Sequence, residues 1–187
     1  MKAKLTENGF AIKENLYTRK EITEIIERIQ STKEGQEQFA IRQFFEKVPA
    51  SRQLIFTQNF ISFFKAHIGA NYFLIKAIYF DKPPNANWIV PWHQDLTIVT
   101  DRKIALEGFS KWRLKNQKHY VQPTNEILEN IVTIRIHLDD CNSSNGALKI
   151  ISGSHRNGIN QKLDFDKEKS VICEVKCGGI LLSLIHI

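Results

Sequence analysis

The sequence has little of what builds disulfide frameworks, zinc sites or membrane spans. Only three cysteines occur in 187 residues, and their spacing offers neither a second Cys-x-x-Cys pair nor the histidine pair of a zinc site. No apolar run is long enough to cross a bilayer, and the first residues, MKAKLTENG, lack the apolar core of a signal peptide. We therefore expect a cytoplasmic protein with reduced thiols and no membrane partner.

Charge of one sign is not concentrated in any part of the chain. The net charge is +6, and the lysines are spread along the whole sequence rather than clustered into a basic surface that would bind nucleic acid. With 42% hydrophobic and 25% charged residues, the composition is that of an ordinary globular protein. We expect one domain over residues 1–187 and no nucleic-acid partner.

Helical signals are confined mainly to the N-terminal third. Thr18 and Glu21 form a capping-box pattern, and isoleucines repeat at helical spacing from residue 22 to residue 29. A second helix is predicted to begin after Thr57 and to stop at Gly69. A short third helix, capped by Thr124, is predicted over residues 125–130.

The rest of the chain favours short strands separated by turns. The predicted strands are residues 71–80, 96–99, 131–139, 147–151, 171–176 and 180–185, and residues 100–121 are predicted to form a long loop over the site. This order predicts a mostly β fold with flanking helices, of the sandwich or jelly-roll type.

Residues 87–96, NWIVPWHQDL, contain the most informative pair of side chains. On a β-strand, His93 and Asp95 would point to one face while Gln94 points away. An imidazole and a carboxylate placed in this way are two of the three ligands of the 2-His-1-carboxylate triad that holds Fe(II). A hydrogen-bonded, inert pair at a strand end has the same spacing, so the pair alone leaves both interpretations open.

Two arginines stand among apolar neighbours. In residues 131–139, Arg135 alternates with apolar side chains and shares its face with Thr133 and His137, so that face lines either solvent or a wet cavity. Arg42, in the run AIRQFF, is either a surface residue or points into a pocket.

Three motifs taken together resemble the phytanoyl-CoA dioxygenase family: YFDKPPNANWIVPWHQDLTI, RIHLDD and NGALKIISGSHRNG. The resemblance extends from about residue 42 to the C-terminus. It implies a double-stranded β-helix, a jelly roll of the cupin type, that uses Fe(II) and 2-oxoglutarate. The implied reaction uses O₂ to oxidise an unactivated C–H bond of a small organic substrate, with 2-oxoglutarate decarboxylated to succinate.

The resemblance also implies roles for individual residues. His93 and Asp95 match the first two iron ligands, while Gln94, Arg135 and Arg42 match residues that bind or border the co-substrate. Gly153, Ser154 and His155 match a corner that shapes the site, where the histidine is structural. Relatives that halogenate lack the carboxylate ligand, so the presence of Asp95 favours hydroxylation.

The C-terminal sequence departs from the family pattern, which requires a distal histidine on a late strand and an arginine beyond it. His186 is the only histidine left, and it comes about three positions early, which matters because strand register decides the facing side. We therefore expect a truncated or frame-altered copy that lacks a metal ligand and its last strand, and that is an inactive fragment. The alternatives are that His186 serves as a makeshift ligand, or that the chain is a non-catalytic, cupin-like binding module.

Overall fold

The computed structural model describes residues 1–32, 39–83, 90–159 and 166–184. Its helices are α1 (Lys2–Asn8), α2 (Arg19–Thr32), α3 (Phe44–Lys47), α4 (Ser51–Ile55), α5 (Gln58–His67) and α6 (Asn125–Glu129). Its strands are β1 (Phe10–Lys13), β2 (Ala40–Arg42), β3 (Ile78–Phe80), β4 (Ile98–Thr100), β5 (Ser110–Lys115), β6 (Lys118–Gln122), β7 (Val132–Ile136), β8 (Leu148–Ile151), β9 (Ser170–Cys173) and β10 (Ile180–Leu184). Helices and strands take similar shares, 31% and 27%, because three small helices that the sequence did not reveal, α1, α3 and α4, add to the helical share.

The two long N-terminal helices begin where their capping residues predicted. The backbone N–H of Thr18 donates to the Glu21 carboxylate at 2.7 Å, and the Glu21 N–H donates to the Thr18 hydroxyl at 3.3 Å. The Thr57 hydroxyl accepts the N–H of Phe60 at the start of α5. These bonds satisfy N–H groups that the first helical turn leaves without partners.

A three-stranded antiparallel sheet in the order β1–β10–β7 forms the centre of the fold. Ile180 and Leu182 of β10 lie beside Ile136 and Ile134 of β7. On this face they contact the N-terminal helices in the main hydrophobic core. The apolar half of the predicted alternation in β7 therefore faces the helices, and residues 183 and 184 continue the pairing of β10 with β7.

The opposite face of this sheet carries Arg135, which lies beside Leu181 in the register. Leu181 is fully buried in a second cluster with Ile150, Cys173 and Val175, which come from β8, β9 and the segment after β9. Strands β8 and β9 pair with each other. The polar side chains of β7 therefore share their side of the sheet with an internal apolar cluster and are only partly exposed, unlike those of a plain solvent face.

The prediction of a strand over residues 71–80 is wrong for its first seven residues. Only Ile78–Phe80 forms a strand, and it pairs with the equally short β2. Tyr72, Phe73 and Leu74 are 45%, 85% and 48% exposed. Aromatic and β-branched residues favour strands only where a partner strand is available. The partner strand β2 is only three residues long, so only three residues of the predicted strand pair with it.

The prediction of a long loop over residues 100–121 is also wrong. Strands β5 and β6 form a hairpin there, and β6 pairs on its other side with β4. The hairpin turns at Asn116 and Gln117, which both have positive φ, 50° and 59°. Two such residues form a type I′ turn, and the charged, exposed strand β5 concealed the alternation that would have revealed it.

No helix in the described ranges is long and apolar enough to cross a membrane.

Candidate metal and co-substrate site

His93 and Asp95 converge although they do not lie on a strand. The segment that carries them is irregular and leads into β4, which begins at Ile98, so the expectation of regular strand geometry is wrong here. The Nε2 atom of His93 lies 3.9 Å from Oδ1 of Asp95, and both side chains are about half exposed. An imidazole nitrogen and a carboxylate oxygen thus meet at a point that solvent and ligands can reach.

The orientation of the His93 ring is set by its other nitrogen. Nδ1 lies 2.8 Å from the carbonyl oxygen of Pro91, and a carbonyl only accepts hydrogen bonds, so we assign the proton of the neutral ring to Nδ1. The lone pair of Nε2 then faces the Asp95 carboxylate. A backbone carbonyl bonded to the far nitrogen is the usual way in which a metal-binding imidazole is held.

The two donor atoms fit one metal ion after a small adjustment. Neighbouring ligands about 2.1 Å from an ion lie about 3 Å apart when they are at right angles, which is somewhat closer than the 3.9 Å observed. A proton on Nε2 would make the contact an ordinary ion pair, and a divalent ion between the two donors would equally remove the repulsion of their lone pairs. Among the described residues no group of three or more His, Cys, Asp or Glu side chains could hold a metal, and His186 lies outside those residues.

Gln94 connects this segment to the corner that follows β8. Its side-chain amide donates to the carbonyl of Gly158 at 3.0 Å. The corner itself contacts α1: the Gly153 N–H donates to the Asn8 carbonyl, and His155 Nε2 lies 3.0 Å from the carbonyl of Thr6. The contact of His155 agrees with a structural role, while the co-substrate role of Gln94 stays a prediction.

Arg135 lies within the electrostatic influence of Asp95. Desolvation by burial lowers the pKa of Arg135, and the negative charge of Asp95 is the strongest influence opposing that shift. Among the described residues Arg135 makes no ion pair within 4 Å, since the recorded pairs involve other side chains. A partly buried guanidinium with no carboxylate partner among the described residues is a suitable site for an anionic ligand.

His137, directly after β7, belongs to the face that the sequence predicted to line either solvent or a wet cavity. Its Nε2 atom is buried and has no hydrogen-bond partner among the described residues. Desolvation, followed by the neighbouring charge of Arg135, lowers the pKa of His137, while Asp139 opposes the shift. The sequence signal for His137 was its alternation with apolar residues over residues 131–139, of which β7 forms the first part.

Arg42 is exposed on β2, where it lies opposite Ile78. The structure shows no contact between Arg42 and the residues around His93 in the parts it describes. Its role at the entrance of a pocket stays a prediction.

Sequence similarity to known proteins covers almost the whole chain. Residues 5–185 match the family model for phytanoyl-CoA dioxygenase (PhyH). The chain belongs to the phytanoyl-CoA dioxygenase family. No curated protein matches the chain in a direct comparison of sequences.

Solved structures share the fold of this PhyH-family chain at low sequence identity. EvdO2 from Micromonospora carbonacea var. aurantiaca, complexed with 2-oxoglutarate, is 12% identical with a TM-score of 0.55 over 97% of this chain and 78% of its own. HygX from Streptomyces hygroscopicus, with nickel and 2-oxoglutarate bound, is 12% identical with a TM-score of 0.58 over 97% of this chain and 75% of its own. The non-heme monooxygenase ThoJ, in its apo form, is 11% identical with a TM-score of 0.60 over 99% of this chain and 68% of its own.

These comparisons confirm three predictions from the sequence. The family is the one that the motifs resembled, and the fold is the jelly roll with flanking helices. The enzyme class is that of the 2-oxoglutarate-dependent oxygenases, in agreement with the 2-oxoglutarate and metal found in the structural neighbours.

Proposed function

We propose that this PhyH-family protein uses Fe(II) and 2-oxoglutarate to hydroxylate a small organic substrate. One oxygen atom of O₂ enters the substrate C–H bond as a hydroxyl group, and the other enters succinate as 2-oxoglutarate loses CO₂. The observation that carries the proposal is the approach of His93 Nε2 to the Asp95 carboxylate at 3.9 Å, together with the influence of Asp95 on the partly buried Arg135. The 2-oxoglutarate and the metal ions of EvdO2 and HygX support the choice of cofactors.

His93 and Asp95 would hold the iron, which would supply the activation of O₂. The bond from His93 Nδ1 to Pro91 keeps the ring from rotating, so that Nε2 is presented to the metal at little entropic cost. Relatives that halogenate lack this carboxylate, so the presence of Asp95 favours hydroxylation, and the expected product is an alcohol.

Arg135 would bind a carboxylate group of 2-oxoglutarate. Burial strengthens the attraction between the guanidinium and an anion, because less water screens the two charges. Asp95 lies close enough to influence Arg135, so an anion bound to Arg135 would also lie near the metal. Gln94 and Arg42 are proposed as further residues of the co-substrate pocket.

Metal and co-substrate binding test this proposal directly. Calorimetric titration of Fe(II) without oxygen, followed by 2-oxoglutarate, should show binding to the unmodified chain. Removing either ligand, with His93→Ala or Asp95→Ala, should weaken metal binding by at least about tenfold. His67→Ala is the matched control because His67 lies on α5 and contacts Phe63, and it should bind the metal as the unmodified chain does.

Turnover separates an enzyme from a binding module. Succinate formation that requires Fe(II), O₂ and Asp95 would establish the oxygenase activity. Binding of 2-oxoglutarate without succinate, in the presence of candidate substrates, would favour the inactive fragment or the non-catalytic module. Unchanged metal affinity in both alanine variants would remove the assignment of His93 and Asp95.

We also propose a cytoplasmic location and no nucleic-acid partner. All three cysteines are free thiols, which agrees with a reducing compartment. Thiol labelling of the protein immediately after cell lysis should reveal no disulfide. A buried cysteine should react with the label only after the protein is unfolded.

A further inference from the structure

Two nitrogen-bearing side chains follow one another at the end of β7: Arg135 lies on the strand and His137 directly after it, where its backbone still bonds to Gly178 and Gly179. Arg135 and His137 are separated by one residue, which on a strand places them on one face about 7 Å apart. Arg135 has no ion pair, and His137 Nε2 no hydrogen bond, with any described residue. A buried polar atom with no partner destabilises the protein, so its persistence points to a ligand or a bound water.

The charges that act on these two residues connect them to the metal ligands. Asp95 opposes the lowering of the Arg135 pKa, and Arg135 in turn lowers the pKa of His137. Since Arg135 would bind a carboxylate of 2-oxoglutarate, that carboxylate would lie on the face of the extended chain that also carries His137.

We propose that His137 is a further co-substrate-binding residue, whose Nε2–H donates a hydrogen bond to the carboxylate of 2-oxoglutarate that is remote from the metal. The inference rests on the proposed function. Its basis is the buried Nε2 atom, which has no hydrogen-bond partner among the described residues, and the face that it shares with Arg135. A neutral imidazole donates through one nitrogen only, so Nε2–H provides direction while Arg135 provides charge.

A pair of keto acids distinguishes this contact from a structural effect. 2-Oxopentanoate has the same chain length as 2-oxoglutarate and the same metal-binding end, but it lacks the remote carboxylate. We would measure the affinity of both for the Fe(II)-loaded protein by anaerobic calorimetry. His137→Leu should weaken 2-oxoglutarate binding about tenfold, the effect of losing one hydrogen bond to a charged group. The same variant should bind 2-oxopentanoate with an affinity within a factor of about two of that of the unmodified chain.

Two polar substitutions keep the test valid if the leucine variant does not fold. The amide nitrogen of glutamine can reach the position of Nε2, so His137→Gln should restore 2-oxoglutarate affinity to within about threefold. The shorter asparagine cannot reach it, so His137→Asn should lose affinity as leucine does. His67→Leu, another partly buried histidine on α5, should bind both keto acids as the unmodified chain does.

Each alternative outcome has a distinct pattern. Equal weakening of both keto acids would assign His137 a structural role and overturn the inference. Unchanged affinity for 2-oxoglutarate would show that water occupies the position, and the proposed function would stand without this residue. Failure of the unmodified, iron-loaded protein to bind either keto acid would remove the proposed function itself.

Discussion

At the scale of single residues, burial changes the pKa of the Cys173 thiol, which belongs to the internal cluster. Cys173 is fully buried beside Leu181. Desolvation raises the pKa of its thiol from 9.0 to about 11, with Arg135 opposing the shift. In the unfolded chain the thiol ionises at its ordinary value, so the unfolded state loses its proton at lower pH than the folded state.

This difference predicts a loss of stability at alkaline pH. The contribution of the neutral thiol to the free energy of unfolding is fully present below pH 9 and declines as the pH rises towards 11. The decline between pH 8 and pH 10.5 should be about 2 kcal/mol. Urea unfolding at both pH values should show that Cys173→Ala, although less stable at pH 8, loses less stability than the unmodified chain on going to pH 10.5. An equal loss in both proteins would contradict the burial of this thiol.

At the scale of elements, the β5–β6 hairpin shows how backbone conformation can depart from residue preference. Lys115 pairs with Lys118, which leaves only Asn116 and Gln117 for the turn. Asparagine tolerates the left-handed region, whereas glutamine adopts it at an energetic cost. The sequence Asn-Gln therefore stores strain that the usual Asn-Gly turn avoids.

Gln117→Gly should relieve that strain and stabilise the protein by about 0.5–1 kcal/mol. The matched control is Gln122→Gly at the end of β6, where no positive φ is recorded and glycine should destabilise the chain. The midpoint of urea unfolding for the two variants is the measurement. A lower midpoint for Gln117→Gly would show that the turn is not of the type I′ form.

At the scale of the whole molecule, Gly178 joins the N-terminal segment to the central sheet. Its carbonyl accepts the N–H groups of Leu16 and Tyr17, and its own N–H donates to the carbonyl of His137. Its φ is +82°, and a Cβ atom at this position would collide with the carbonyl oxygen of Tyr17. The contact between helices and jelly roll therefore depends on a residue with no side chain.

Gly178→Ala should destabilise the protein by at least about 3 kcal/mol, because the substitution adds a clash to backbone strain. Gly153→Ala is the matched control: its φ is +77° in the left-handed region, and only the carbonyl oxygen of Glu7, at 4.0 Å, lies near the added Cβ atom, so it should cost only the strain, about 1–2 kcal/mol. Thermal unfolding of the two variants measures the difference. Equal losses would show that the N-terminal segment can move away without cost.

The sequence by itself determined the helices that begin at Thr18 and Thr57, the alternation of β7 and the His-x-Asp pair, because caps, periodicity and motif spacing act over a few residues. Only the tertiary structure decided that residues 71–77 have no partner strand, that the region after β4 is a hairpin, and that His93 and Asp95 converge from an irregular segment. It also decided that Arg135 and His137 face the internal cluster rather than solvent. Those outcomes depend on which distant segments supply partners and exclude water, and no local pattern contains that information.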